Sequence, residues 1–413
     1  MKTARGPLRI AGMSAPPIYP ARSTDLDRAW LEVDDDALRH NARVLRARAG
    51  VPLLVMIKAN AYGLGAVDSA RALGLSFADH AHDQAHDQAH ASVADRPWGA
   101  GIASLDEAEE LRAAGCTARL VCSTPLRAEE LARAAALDLR PTLHREADIA
   151  AWAALSPAGA LRPWHLAIDT GMARAGVRWD EVAPLRRILA AHPPEAVFTH
   201  FHSADESLAS REQQDARFDE ALAALMDVLP AGCLTHRDNS GGIMSRTTGS
   251  PGQLARPGIA LYAGMFADEL GLRQVPHLRA RIVDLRHVEA GESVSYGATW
   301  TAPSRRTIAT LAAGYADGYR RHLSNAGVVL IHGTRCPVVG RVTMDMTMVD
   351  VTDRPCAVGD VATLLGADGH DLLSTEWVAA RGGVSPYELL VGLALRVPVV
   401  RRPGVSQRDL AGP

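Results

Sequence analysis

The sequence is poor in cysteine, and the few it has follow no pattern. Its five cysteines, Cys116, Cys122, Cys233, Cys336 and Cys356, form no Cys-x-x-Cys pair. An odd, scattered set excludes a disulfide framework and points to reduced thiols in a cytosol. Long apolar runs are also missing: none approaches the roughly 20 residues that span a bilayer. No uninterrupted apolar stretch follows Lys2 and Arg5, so no secretory leader is expected and the expected location is cytoplasmic. A surplus of one charge sign is missing as well. The net charge is -3 over 413 residues and no segment concentrates the basic ones, which argues against nucleic acid or an anionic membrane as main partner. What remains is ordinary for a globular protein, 47% hydrophobic and 22% charged, with length for two or three domains.

Residues 1–27 are proline-rich and aperiodic and read as a flexible tail. A short strand is expected at Ala29–Val33, then an amphipathic helix from Asp36 to Arg48. Apolar runs then alternate with Ala/Leu/Glu/Arg-rich helices. The candidate strands are Leu53–Ile57, Gly101–Ala103, Leu120–Cys122, Pro141–Leu143, His165–Ile168, Ala196–Thr199, Leu234–Arg237 and Ala255–Leu261, and the clearest helices are Ser104–Ala114, Arg127–Ala136 and Gln213–Val228. Eight strand–helix units in one run predict an α/β unit, a (β/α)8 TIM barrel, over 28–265. Over 266–413 the pattern turns to alternating strands, at Ala280–Val288, Thr307–Ala312, Gly327–Ile331, Val338–Val342, Met346–Val351 and Val361–Leu365, and predicts a mainly β domain. The segment 28–35 is also suited to pair with that C-terminal domain.

In such a barrel, chemistry gathers at the C-terminal ends of the strands. The first of them, Leu53–Ile57, ends on Lys58, and a loop with Tyr62, Gly63 and Gly65 follows at once. Burying an ammonium costs several kcal/mol unless it is paired or neutral. An amine held there can lose its charge and form a Schiff base with an aldehyde. The plainer alternative is a lysine that snorkels at a strand end. Later strand ends run into Asp169–Arg174, Thr199–His202 and Asp238–Gly242, and Arg256–Ile259 enters or caps the last. The small-residue loops at Asn239, Ser240 and at Pro257, Gly258, Ile259 stand where barrels build phosphate sites from backbone N–H groups. Each alone also fits a tight turn. Beside a strand-end lysine they suggest pyridoxal 5'-phosphate.

One segment breaks the pattern. Residues 80–90 repeat Ala-His-Asp-Gln, placing His82, His86 and His90 at i, i+4, i+8. On a helix that spacing could hold a metal; the alternative is a tandem duplication in a surface loop.

The chain resembles the bacterial alanine racemases, fold-type III pyridoxal-phosphate enzymes. The likeness is carried by Arg28–Val33, Lys58–Gly63, Asp169–Met172, Thr199–Phe201, Asn239-Ser240, Arg256–Ile259, Val294–Thr299, Gly314–Gly318 and Gly340–Met346, and runs from about residue 28 to about residue 402. The resemblance implies that Lys58 holds the cofactor and serves as one base. It implies that Tyr296, from a partner subunit of a homodimer with shared active sites, is the base on the opposite face. Tyr62, Ser240, Gly258, Ile259 and Tyr387 would bind the phosphate beside Asn239. Arg174 would meet the phenolic oxygen and the substrate carboxylate, and Arg256 the pyridine nitrogen. His200 would bridge Arg256 and Tyr296, favouring the phenolate. Met344 and Asp345 would lie at the substrate carboxylate, with Tyr315 and Arg321 lining the entrance. No metal is implied.

The sequence departs from the family pattern in four places. Ala167 stands where members often carry a carbamylated lysine, Leu64 replaces a frequent histidine, Arg320 a common proline, and the insertion at 80–90 is unusual. The expected activity is interconversion of L- and D-alanine, supplying peptidoglycan synthesis. A broader amino-acid racemase remains an alternative. A decarboxylase is disfavoured by Arg256, and a single-domain cofactor carrier by the second domain with Tyr296.

Overall fold

The computed structural model describes residues 27–78, 96–157, 160–393 and 396–402. Residues 1–26 of the expected tail at 1–27 and the histidine-rich run at 80–90 lie outside the described residues; Asp27 is described and buried.

Strand β1 (Ala29–Asp34) comes first and is buried along nearly its whole length. Asp34 ends it and caps the helix Asp35–Ala49, accepting from the Ala37 N–H at 2.8 Å. The barrel strands come next: β2 (Leu54–Met56), β3 (Gly99–Ile102), β4 (Leu120–Cys122), β5 (Leu139–Leu143), β6 (His165–Asp169) with β7 (Val177–Arg178) against its end, β8 (Ala196–Phe198) and β9 (Leu234–His236). They pair in parallel in the order β2-β3-β4-β5-β6-β8-β9. β2, β3 and β4 are buried at every residue, as parallel strands covered on both faces must be.

The ring closes through a much reduced eighth strand. Leu254 bridges His236 and Ala255 bridges Leu53, both in parallel. The Leu54 N–H donates to the Ala255 carbonyl at 2.8 Å and the Met56 N–H to that of Pro257 at 3.0 Å. The expected strand Ala255–Leu261 is therefore corrected. Pro257 has no N–H to continue the ladder, Gly258 turns the chain at φ -124, ψ -92, and Ile259–Tyr262 is a 3-10 helix. The helix expected at Gln213–Val228 runs instead over Leu208–Leu225, because Ser207 caps it ahead of Gln213.

The second half is built on β10 (Pro276–Val288), β11 (Ser293–Val294), β12 (Trp300–Thr301), β13 (Arg306–Leu311), β14 (Val328–Ile331), β15 (Thr334–Pro337), β16 (Thr347–Asp350), β17 (Val361–Asp368), β18 (Asp371–Leu373) and β19 (Val399–Arg402). The main sheet has the order β15-β14-β17-β10-β1-β19, and β13 joins β10 to β16. β1 lies inside this sheet, antiparallel to β10 with Ala29 opposite Ala280 and parallel to β19 with Leu31 opposite Val399. The expected strand Val338–Val342 is reduced to one bridge, Val338 to Val349. Gly340 turns away at φ +74, where a Cβ would sit 2.5 Å from the Val294 carbonyl oxygen. Among the described residues no helix is long and apolar enough to cross a membrane, and no cluster of His, Cys, Asp and Glu could hold a metal ion.

Candidate active site

β2 delivers Lys58 to the C-terminal mouth of the barrel. The next four residues, Ala59, Asn60, Ala61 and Tyr62, have φ of 52°, 53°, 52° and 57°. A left-handed turn in non-glycine residues costs about 1–2 kcal/mol per residue, so its surroundings must impose it. Glu107 does much of this. One of its carboxylate oxygens accepts from the Ala59 N–H at 2.7 Å, and the other from the Ala103 N–H at 2.7 Å while it closes the capping box with Ser104. Asn60 accepts from the Ala66 N–H at 2.7 Å. Burial and then the Arg174 charge depress the Lys58 pKa, against a smaller opposing effect of Glu107.

Opposite Lys58, Asn239 caps the helix Ser240–Ser245, its side chain accepting from the Gly242 N–H at 2.9 Å. The Ser240 hydroxyl oxygen accepts from the Gly258 N–H at 3.0 Å and the Ala260 N–H at 3.3 Å. A Cβ on Gly258 would lie 2.3 Å from the Tyr62 hydroxyl. Glycine therefore leaves room for the Tyr62 hydroxyl beside this loop. The Tyr62 ring lies 4.9 Å from that of Tyr262 and 6.2 Å from that of Tyr387.

Arg256 is buried and has no carboxylate in hydrogen-bond contact. Nη1 meets His236 Nδ1 at 2.7 Å. Nη2 donates to the Thr199 carbonyl at 2.7 Å and faces His200 Nδ1 at 3.4 Å. Burial lowers its pKa to about 10 against the opposing charge of Asp238, so it stays cationic at neutral pH. His200 is held down to about 3 by burial and then by the charges of Arg256, Arg174 and Lys58. It is therefore a neutral imidazole.

These groups surround one cavity of about 520 Å³, which Lys58, Tyr62, Arg174, His200, Asn239, Ser240, Arg256, Gly258, Ile259 and Tyr387 all line. Tyr296, Tyr315, Arg321, Met344 and Asp345 do not line it; they gather in the second half of the chain. There the Tyr315 and Ala316 N–H groups donate to the Thr343 and Met344 carbonyls, each at 3.0 Å. Tyr296 follows β11 and is 74% exposed.

Two family profiles match the chain: "Alanine racemase, N-terminal domain" over residues 33–82 and 78–265, and "Alanine racemase, C-terminal domain" over 275–401. The chain belongs to the alanine racemase family. The alanine racemase of Deinococcus radiodurans is 38% identical over 378 residues, covering 90% of this chain and 98% of the relative. Among solved structures, the alanine racemase of a D-cycloserine-producing Streptomyces lavendulae is 30% identical with a TM-score of 0.79, covering 92% of this chain and 98% of that one. That of Bartonella henselae, with covalently bound pyridoxal phosphate, is 28% identical with a TM-score of 0.77, covering 91% and 99%.

Several residues that shape this alanine racemase site escaped the sequence reading. Glu107 was legible only as a helix cap, through the Ser104-x-x-Glu107 spacing. Phe198, stacked 4.8 Å from His236 and 5.3 Å beneath the Arg256 guanidinium, and Tyr262, which donates to the Met56 carbonyl at 3.0 Å, belong to no motif that would single them out. Composition carries one further signal: the sequence has two lysines, Lys2 and Lys58, among 44 basic residues. Lys58 thus carries the one lysine side-chain amine among the described residues.

Proposed function

We propose that this chain interconverts L- and D-alanine with pyridoxal 5'-phosphate, as a homodimer whose two active sites each draw residues from both subunits. The observation that carries the reading is the pairing of a lone lysine with a buried, carboxylate-free arginine across one cavity. When bound, the cofactor supplies an aldehyde that captures amines and a ring that withdraws electrons from the α-carbon.

The residues present fit that group. The Ser240 hydroxyl, the Gly258 and Ile259 backbone and the Tyr62 and Tyr387 hydroxyls form a cradle suited to a phosphate, with no room for a Cβ at Gly258. Asn239 fixes that cradle as a helix cap. Arg256 would face the pyridine nitrogen, and because a guanidinium does not give up its proton the ring nitrogen stays unprotonated. Arg174 would meet the phenolic oxygen and the substrate carboxylate.

Racemisation takes a proton from one face of the α-carbon and returns one to the other. The Lys58 Nζ holds or delivers it on one face, helped by its depressed pKa. The Tyr296 hydroxyl does so on the other, with His200 between it and Arg256. Met344 and Asp345 hold the substrate carboxylate from the partner's side, and Tyr315 and Arg321 border the entrance. In this reading residues 28–265 bind the cofactor and 266–413 carry the second base. The product, D-alanine, serves peptidoglycan synthesis in the cytoplasm.

Mixing two inactive variants tests this arrangement. Lys58→Ala and Tyr296→Phe subunits, dissociated and reassembled at equal amounts, should regain about one quarter of wild-type activity, because half the dimers are mixed and each has one intact site of two. Mixed dimers that form without activity would sink the shared-site reading.

A further inference from the structure

Four side chains form a line that the reaction, as read above, uses only at its first member. Arg256 Nη1 lies 2.7 Å from His236 Nδ1, His236 Nε2 lies 3.1 Å from His165 Nδ1, and His165 Nε2 lies 3.4 Å from Glu195 Oε2. His236 is the last residue of β9, whereas His165 is the first of β6 and Glu195 immediately precedes β8. The line therefore starts at the cavity and runs down inside the barrel toward the opposite end. Both imidazoles are wholly buried. The Arg140 Nε–H donates to Glu195 at 3.1 Å and holds its carboxylate in place.

The line has one possible direction. A guanidinium only donates and an ionised carboxylate only accepts. Burial keeps both imidazoles below their ordinary range, so each carries one proton. Burial would raise the Glu195 pKa, but the His165 hydrogen bond and the Arg140 charge outweigh it. Arg256 then donates to His236 Nδ1, His236 donates through Nε2 to His165 Nδ1, and His165 donates through Nε2 to Glu195. Either imidazole alone in the other tautomer would leave one junction with two hydrogens and another with none. Interiors of such barrels are commonly filled by Val, Ile and Leu, which avoid the cost of burying polar groups. Packing alone therefore gives no reason for two buried histidines bonded to each other.

We propose that Glu195 is a positioning residue for Arg256: acting through His165 and His236, it fixes the imidazole nitrogen that the guanidinium meets and so holds the guanidinium in place against the cofactor ring. This rests on the reading that Arg256 faces the pyridine nitrogen. The chain thereby anchors a cation deep in the site without a carboxylate beside it, which leaves no nearby acid to protonate that nitrogen.

The test is long-range ¹H–¹⁵N NMR on holoenzyme labelled at histidine, with His165→Asn and His236→Asn for assignment. Both rings should carry their proton on Nε2. A ring protonated on Nδ1 in the wild-type protein overturns the proposal. Glu195→Gln keeps an acceptor and should keep both tautomers. Glu195→Leu removes it. That variant should disturb the tautomers, move the holoenzyme absorbance maximum in the direction that Arg256→Lys moves it, and lower kcat about tenfold, with KM within about twofold. A leucine variant that lowers only the melting temperature, with tautomers, absorbance and kcat unchanged, reduces the line to packing and overturns the proposal. If Arg256→Lys leaves the absorbance unaltered, the placement of Arg256 against the ring is what fails, and the tautomers still decide the line. Should the leucine variant not fold, the wild-type tautomers and Glu195→Gln decide: loss of the Nε2 tautomers in the glutamine variant also counts against it.

Discussion

The barrel mouth and the surface around Tyr296 present opposite solutions to holding functional groups. At the mouth, Tyr62, Ser240 and Arg256 are each no more than 6% exposed, and Ser240 and Arg256 hydrogen-bond to groups of their own chain. On the other surface Tyr296, Met344, Met346 and Tyr315 are 74%, 52%, 44% and 38% exposed. Yet that surface is not loose. Asp317, with no exposed side-chain surface, pairs with Arg28 at 2.5 Å and Arg396 at 2.9 Å, and Arg396 reaches Asp345 at 2.7 Å. Exposed aromatic and sulfur-containing side chains on a braced frame are what a surface built to be covered looks like. One region is closed by its own chain; the other, though braced, stays open in the single chain, as the proposed shared-site dimer requires.

Substitutions can break this contrast. The largest effect is expected from Lys58→Ala, which should lower kcat by more than about a thousandfold and abolish the visible absorbance of the covalently held cofactor. No other lysine lies among the described residues to stand in, so persistence of that band would refute the assignment. Next comes Tyr296→Phe. Its loss should be directional, with α-proton abstraction from L-alanine impaired far more than from D-alanine, as read by deuterium exchange. Equal impairment of both would contradict the assignment of faces. Because Tyr296 is exposed in the single chain, the same variant should leave thermal stability within about 0.5 kcal/mol. The smallest effect is expected from Gly258→Ala. Its Cβ would displace the Tyr62 hydroxyl, remove one hydrogen bond to a charged group and weaken cofactor affinity about tenfold to a hundredfold, measured by equilibrium dialysis. Unchanged affinity would argue against the phosphate cradle.

How far the sequence could be read tracks the same divide. Barrel strands were legible because parallel strands buried on both faces are continuous apolar runs, as β2 and β4 are. Lys58, Ser240 and Arg256 were legible because strand ends are where barrels expose chemistry. The eighth strand misled because Pro257 and Gly258 look like a break inside a longer apolar run, whereas the ladder ends at the Pro257 carbonyl. Val338–Val342 misled because alternation says nothing of the backbone turn at Gly340. The long-range contacts of Glu107, His165, His236 and Glu195 were illegible for a shared reason. Each residue acts through a partner between 20 and 71 residues away in sequence, and no local period records such a pairing.

The place of β1 has a consequence for how the chain is made. It is the first described strand to leave the ribosome, but its antiparallel partner β10 begins roughly 240 residues later. At ordinary synthesis rates that is a wait on the order of tens of seconds. Its other neighbour, β19, arrives only with the last described residues. The barrel strands can pair with one another as they emerge, in chain order. The main sheet of the second half cannot be completed until the two ends of the described chain meet, so a partly made chain would hold most of its barrel strands well before it held that sheet.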